Sequence, residues 1–388
     1  MERNKVHLGD VCKVVSGSTP KTGIPEYWNG DIKWITPAEI QEDSFYIYDS
    51  VRHITLLGKE KTGLSYMPKG TVILSSRAPI GKTAITGCEM CCNQGFKNLI
   101  CSDKIFNEYL YYFLKGKEKY LNSLGRGATF KEISKKIVED IEIPLPNIKE
   151  QKHIATVLGC IDRVISLRQQ QLAKLDELVK ARFVEMFGDP MINSMHWPIY
   201  KLSEYIQFLT SGSRGWAKYF TDEGEYFITI KNVKNCKITL DDVQHIAPPD
   251  NAEAKRTKVQ AGDLLISITA DLGRTGVVTQ EIAEHGAYIN QHLTCIRLNQ
   301  SVVLPLYVAY YMESDAGKKQ FQLKNQTGVK AGLNFNSINT LKVMVPPLEK
   351  QRSFVSFVEQ VEKTKSSIQK NLKKIEILKK ALVQRYFG

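Results

Sequence analysis

The sequence has no stretch from which a membrane span could be built. No apolar run approaches the roughly 18 residues a span requires, and the opening residues, Met1 to Asp10, are polar and lack the apolar region of a secretory signal. A cytoplasmic protein is expected. The eight cysteines, at positions 12, 88, 91, 92, 101, 160, 236 and 295, follow no regular spacing, so no disulfide framework is expected and the side chains should be thiols. Cys88 and Cys91 form a C-x-x-C pattern beside Cys92 and Cys101. The second pair that a structural zinc site needs is missing, and no metal is expected.

Catalytic signatures are equally scarce. Gly81-Lys82-Thr83 resembles the end of a phosphate-binding loop, but Ser76 stands where the first glycine belongs and Pro79 where a backbone N–H is needed. Pro249-Asp250 with Glu253 and Lys255 puts too few residues between the carboxylates for two strands to face one metal. There is no H-E-x-x-H, no G-x-S-x-G and no glycine-rich strand-to-helix turn. The Asn/Asp-Pro-Pro-aromatic signature of amino-methylating enzymes is also absent. The chain is expected to be non-catalytic.

What the sequence does contain is a duplication. Pro146 to Gly188 recurs without a gap as Pro346 to Gly388, offset by 200 positions, with Gln151/Gln351, Leu172/Leu372, Lys174/Lys374, Leu178/Leu378 and Phe187/Phe387 coincident. In the first copy Ile154, Leu158, Ile161, Ile165, Leu172 and Leu175 fall on a four-three stripe, the rhythm of a supercoiling helix. Phe354, Val358, Val361, Ile368, Leu372, Ile375 and Leu382 do the same in the second. Arg168 and Arg182 interrupt the first stripe, and Lys365 and Lys379 the second, each opposite an apolar residue in the other copy. This suits two helices that pair with each other better than two that self-associate. These stripe residues, with Leu178, are expected to serve helix pairing and partner docking. Prolines precede each copy and Gly188 can form a left-handed cap. About 40 helical residues would make a rod of about 60 Å.

At 388 residues the chain exceeds one hydrophobic core. Its net charge of +12 is uneven, because the second repeat alone has 10 basic residues against 4 acidic ones. Such a run reads equally as a solvated helix face or as a surface that follows phosphates. The segments between the helices also echo each other. Trp34-Ile35-Thr36 matches Phe227-Ile228-Thr229, and Val72-Ile73-Leu74-Ser75 matches Leu264-Leu265-Ile266-Ser267; all read as strands. The loops that follow, Arg77 to Lys82 and Thr269 to Arg274, each end in glycine and a cation. Asn93-Gln94 matches Asn290-Gln291, and the sequence pairs Phe130 with Phe335 and Ile133 with Ile338.

The order is globular, helix, globular, helix: residues 1–145, 146–188, 189–345 and 346–388. The expected fold is a mixed α/β (α+β) one, with two globular domains joined by two long coiled-coil helices in a pseudo-twofold duplication. Lys21, Arg77, Lys82, Lys97, Arg126, Lys131, Arg214, Lys218, Arg274 and Lys330 are candidate DNA contacts through their charge. Asn93, Gln94, Asn290, Gln291 and Asn334 are candidates through amides able to read base edges. For the paired Asn-Gln positions, satisfaction of buried backbone is the favoured reading. Contacts that discriminate bases should come from dissimilar loops, such as Thr19 to Trp28 and Arg214 to Tyr219.

The order of these motifs, doubled, resembles the specificity (S) subunit of Type I restriction-modification systems. The resemblance rests on Leu145 to Gln151 and Pro346 to Gln351 opening the helices, on Ser75-Ser76-Arg77 with Ile80-Gly81-Lys82, on the two Asn-Gln pairs and on the Phe-Gly helix ends. It implies two target recognition domains, each reading one half of a split double-stranded DNA target, with the two long helices antiparallel and setting the gap. It further implies two modification (M) subunits docked on the helices and restriction (R) subunits in the full complex. S-adenosylmethionine, Mg2+ and ATP would reside on those partners. Thr269-Ala270-Asp271 departs from the Ser-Arg-x of the first half and weakens transfer of an Arg77 role. A recognition subunit of a fused methyltransferase-nuclease, or a protein-only coiled-coil adaptor, are the alternatives.

Overall fold

The computed structural model describes residues 4–77, 79–127, 131–325 and 332–388. The chain divides into two compact units. One comprises residues 1–170 and 369–388, the other 171–368.

In the first unit a five-stranded sheet runs in the order 12–16, 96–101, 72–75, 83–86, 46–47. A second sheet sets strand 28–35 between 52–54 and 91–92. The second unit repeats this with 206–211, 293–298, 264–267 and 275–277, and a further sheet in which 225–228 lies between 244–246 and 287–289. The equivalences are exact in register: Ile35 pairs in parallel with Cys92, and Ile228 with Ile289. Val72–Ser75 and Leu264–Ser267 are buried at every position, which is why they read as continuous apolar runs rather than alternating ones.

Both repeats form single helices, Ile148–Phe187 and Leu348–Phe387. Asn147 Oδ1 accepts the Glu150 N–H at 2.9 Å at the start of the first, and Gly188 ends it at φ +77. A buried glutamine fastens each helix to its domain. Gln151 Oε1 accepts from Phe106 N at 2.8 Å while its Nε2 donates to the carbonyls of Lys104 and Pro146. Gln351 treats Leu304 N and the carbonyls of Val302 and Pro346 in the same way.

Each core is closed by the last phenylalanine of a long helix. Phe387 packs 5.1 Å from Tyr109 in the first unit, and Phe187 packs 4.8 Å from Tyr307 in the second. Both tyrosines donate to a carbonyl just before a long helix, Pro144 and Met344. The helix segments pair antiparallel within each unit. In the second, Asp176 bonds Lys365, Arg182 lies over Phe357, and Phe187 meets Phe354. In the first, Asp162 pairs with Lys379, and Ile154 and Leu158 share a core with Leu382, Val383 and Phe387.

Along the stripe Ile154, Leu158, Phe354, Val358, Val361 and Ile368 are buried, and Ile161, Ile165, Leu172, Leu175, Ile375 and Leu382 half-buried. Leu178, of the set expected to serve pairing and docking, lies off the stripe. The stripe passes through Leu175 and Val179, which turns Leu178 outward to 47% exposure, as it turns Leu378. The interrupting lysines carry the ion pairs across the seam, whereas Arg182 pairs with Glu185 of its own helix. Lys365 is buried; burial opposes its charge, but the hydrogen bond it donates to Asp176 and the charge of Glu362 outweigh that and raise its pKa.

Candidate nucleic-acid interface

In each unit one end of the main sheet gathers the chain's paired motifs. Strand 12–16 ends there, 72–75 ends there and 96–101 begins there, with Ser16 opposite Lys97 and Ser75 opposite Phe96. The second unit does likewise, with Ser211 opposite Thr294 and Ser267 opposite Leu293.

The loop after strand 72–75, and after 264–267 in the second unit, is built on a serine. Ser75 Oγ donates to Pro79 O at 2.7 Å and accepts from Lys82 N at 2.8 Å, and Gly81 closes the turn at φ +103. Ser267 bonds Asp271 O, accepts from Arg274 N at 2.9 Å, and is closed by Gly273 at φ +80. The Asn-Gln turns are also equivalent. Asn93 Oδ1 accepts from Gly95 N at 2.9 Å, and Asn290 Oδ1 from His292 N at 3.2 Å. Both asparagines thus hold their own turn. Against each turn lies a glycine: a Cβ on Gly17 would stand 2.0 Å from Asn93 O, and one on Gly212 would stand 2.1 Å from Asn290 O. Only glycine permits that approach.

A further strand-like segment completes the edge. Ser76 N donates to Gly95 O and Ile133 N to Ser76 O; Ile268 N donates to His292 O and Leu333 N to Ile268 O. Ile133 therefore corresponds to Leu333, and Ser134, which caps helix 135–139, to Asn334, which caps helix 335–339. This corrects the pairing of Ile133 with Ile338, whose counterpart is Val138. Phe130, of the other expected pair, lies outside the described residues, as does Lys330.

The candidate contacts divide accordingly. Arg77 is half-buried, and Gln94, Arg126 and Lys131 are exposed on the first unit's edge. Gln94 Oε1 is bonded by the Thr19 hydroxyl. Lys97 is 7% exposed and spends its charge on Glu132 at 3.0 Å. Lys82 is tethered inside the domain, donating to the carbonyls of Ile40 at 2.7 Å and Pro37 at 3.3 Å. Both are structural cations rather than free ones. Asn334 likewise uses its oxygen on Ser337 N at 2.8 Å. Lys21 and Arg214 are exposed, Lys218 lies over the Tyr219 ring, and Arg274 pairs with Asp271.

Two residues at this edge were not among the sequence candidates. His292 Nδ1 lies 2.7 Å from Thr269 Oγ1 and its Nε2 lies 3.2 Å from Gln291 Nε2. Arg256 bonds Ser211 O at 3.0 Å and the Thr210 hydroxyl. His292 could have been found by extending the Asn-Gln match one residue, where it faces Gly95. Among the described residues no cluster of three or more metal-ligating side chains occurs, and no helix is long and apolar enough to cross a membrane.

Comparison with known proteins agrees with this doubled arrangement. The Type I restriction modification DNA specificity domain matches residues 2–177 and 196–377. The MjaIX specificity subunit of Methanocaldococcus jannaschii is 41% identical over 185 residues, 47% of this chain and 43% of that relative's length. The MjaVIII specificity subunit of the same organism is 21% identical over 398 residues, covering 95% of this chain and 90% of that one. The solved S subunit from M. genitalium has the same fold, with a TM-score of 0.57 at 16% identity over 100% of this chain and 97% of that one. A chain from a type I R-M system studied for its assembly gives 0.62 at 18% identity, over 99% and 97%. The chain belongs to the Type I restriction modification DNA specificity domain family.

Proposed function

We propose that this chain is the non-catalytic, DNA-reading subunit of a Type I restriction-modification complex. Each globular half reads one part of a bipartite duplex target, and the paired long helices fix the number of base pairs between the parts. The observation that carries this reading is the doubled sheet edge, in which one backbone hydrogen-bond pattern recurs while the side chains it presents differ. A duplicated scaffold with divergent edge residues is what two different half-sites require.

The outer faces of the helices, where Val164, Leu167, Leu178, Ile377 and Leu378 are exposed, dock two modification subunits, and restriction subunits join the full complex. S-adenosylmethionine, Mg2+ and ATP belong to those partners. The test is to map methylation in the host genome before and after replacing residues 1–145 with the corresponding domain of another family member. One half-site should change while the gap and the other half-site stay constant. A target that is not split, or a swap that changes both halves, would refute the assignment.

A further inference from the structure

The two edges share every backbone bond named above, yet at one matched pair of positions they exchange side chains across the strands. In the first unit Arg77 stands on the loop strand and Gly95 on the turn; in the second Thr269 takes the place of Arg77 and His292 that of Gly95. The exchange is steric as well as chemical. A Cβ on Gly95 would meet Pro37 Cγ at 3.1 Å and Arg77 Nε at 3.5 Å, so the arginine occupies the space that an imidazole fills in the second unit.

The chemistry offered to a ligand differs in sign. Among the described residues the Arg77 guanidinium has no hydrogen-bond or ion-pair partner, so it presents N–H donors only. In the second unit the amide nitrogen of Gln291 faces His292 Nε2 at 3.2 Å, and the ring's other nitrogen faces the Thr269 hydroxyl at 2.7 Å. An imidazole that accepts from Gln291 through Nε2 carries its proton on Nδ1 and donates it to Thr269. That arrangement fixes the Gln291 amide with its nitrogen inward and leaves Oε1, an acceptor, for a ligand.

Resting on the assignment of each half as a DNA reader, we propose that Arg77 and Gln291, on neighbouring segments of the two equivalent edges, are the base readers of the two halves. Arg77 selects a guanine, whose major-groove edge has two acceptors, and Gln291, oriented by His292 and Thr269, selects a base with an exocyclic amino group, adenine or cytosine. His292 is a positioning residue: it sets which end of the amide faces outward.

The experiment is selection from duplexes randomised in both half-sites, using the full chain assembled with its modification subunits. Wild type should return a guanine at one position of one half-site. Arg77→Gln should reduce that preference by about tenfold or more, the scale of one bidentate base contact, with the other half-site unchanged. Arg77→Lys, which keeps the charge and loses the planar fork, should also reduce it. His292→Leu should relax an adenine-or-cytosine position in the other half-site, because an unheld amide can turn either end outward; Thr269→Val should do the same more weakly. If the Arg77 variants weaken all sequences equally, the residue is a phosphate contact and the proposal fails. It fails too if His292→Leu and Thr269→Val both leave their half-site unaltered. A wild-type complex that selects no sequence at all would instead refute the DNA-reader assignment itself, and that profile is measured first.

Discussion

The sheet edges and the helix–domain junctions diverged in opposite ways after the chain was doubled. At the edges the backbone bonds are kept and the side chains are not: Arg77, Gly95 and Lys97 face Thr269, His292 and Thr294 at matched positions. At the junction of helix and domain the side chains are kept atom for atom, as Gln151 and Gln351 or Tyr109 and Tyr307 demonstrate. Duplication therefore preserved whatever holds a half together and released what that half presents. Between these extremes lies the seam, whose apolar stripe is common to both helices while Lys365 and Lys379, which pair with Asp176 and Asp162 across it, both belong to the second.

The sharpest way to separate scaffold from display is to strike the turn glycines. Gly17→Val or Gly212→Val forces a side chain into a carbonyl at about 2 Å and is expected to cost about 4 kcal/mol or more, the range of overpacked or strained sites. Hydrogen exchange should show the loss confined to the unit carrying the change. Next come the closing phenylalanines. Phe187→Ala and Phe387→Ala each remove a buried ring, with an expected cost of about 3–5 kcal/mol; calorimetry should find the two values alike if the cores are equivalent.

Smaller effects probe the glutamine clasps. Gln151→Leu or Gln351→Leu leaves one N–H and two carbonyls unpaired, and about 2–3 kcal/mol should be lost in urea titrations. A difference between the two of more than about 1 kcal/mol would mean the junctions are not equivalent after all. Least costly are the seam charges. Asp176→Ala leaves the buried Lys365 ammonium with only Glu362 at 3.5 Å, and about 1–2 kcal/mol is expected. Removing Asp162 from the more exposed Lys379 should cost less than about 1 kcal/mol and vanish in high salt.

Much of this was legible in the sequence because it depends on periodicity and local turn chemistry. The stripes, the Gly188 cap, the serine loops and the matched strands all follow from spacing along the chain. Features that depend on distant partners were not. Lys82 reads as a free cation until the carbonyls of Pro37 and Ile40 are found beside it. Asn334 reads as an amide for base edges until its helix is seen to begin one residue later. His292 gains its role only from Thr269, 23 residues away on another segment. Pairing Ile133 with Ile338 slipped because the sequence offers no ruler across the stretch before the cap, where the bonds to Ser76 and Ile268 set the match.

Because Lys365 and Lys379 both lie on the second helix and their carboxylate partners Asp176 and Asp162 on the first, the two rods are unequal as partners for themselves. Facing a copy of itself in the same antiparallel register, the first helix would set Asp162 against Val179 and Asp176 against Ile165, leaving both carboxylates opposite apolar side chains in place of lysines. The second would set Glu362 against Lys379 and Glu376 against Lys365, all opposite charges. Sedimentation of peptides 348–387 and 148–187 at low salt should find self-association at lower concentration for the former, and equal behaviour would contradict this. Four charges thus bias a first rod away from its own kind and toward the second, giving the order of the halves an electrostatic direction.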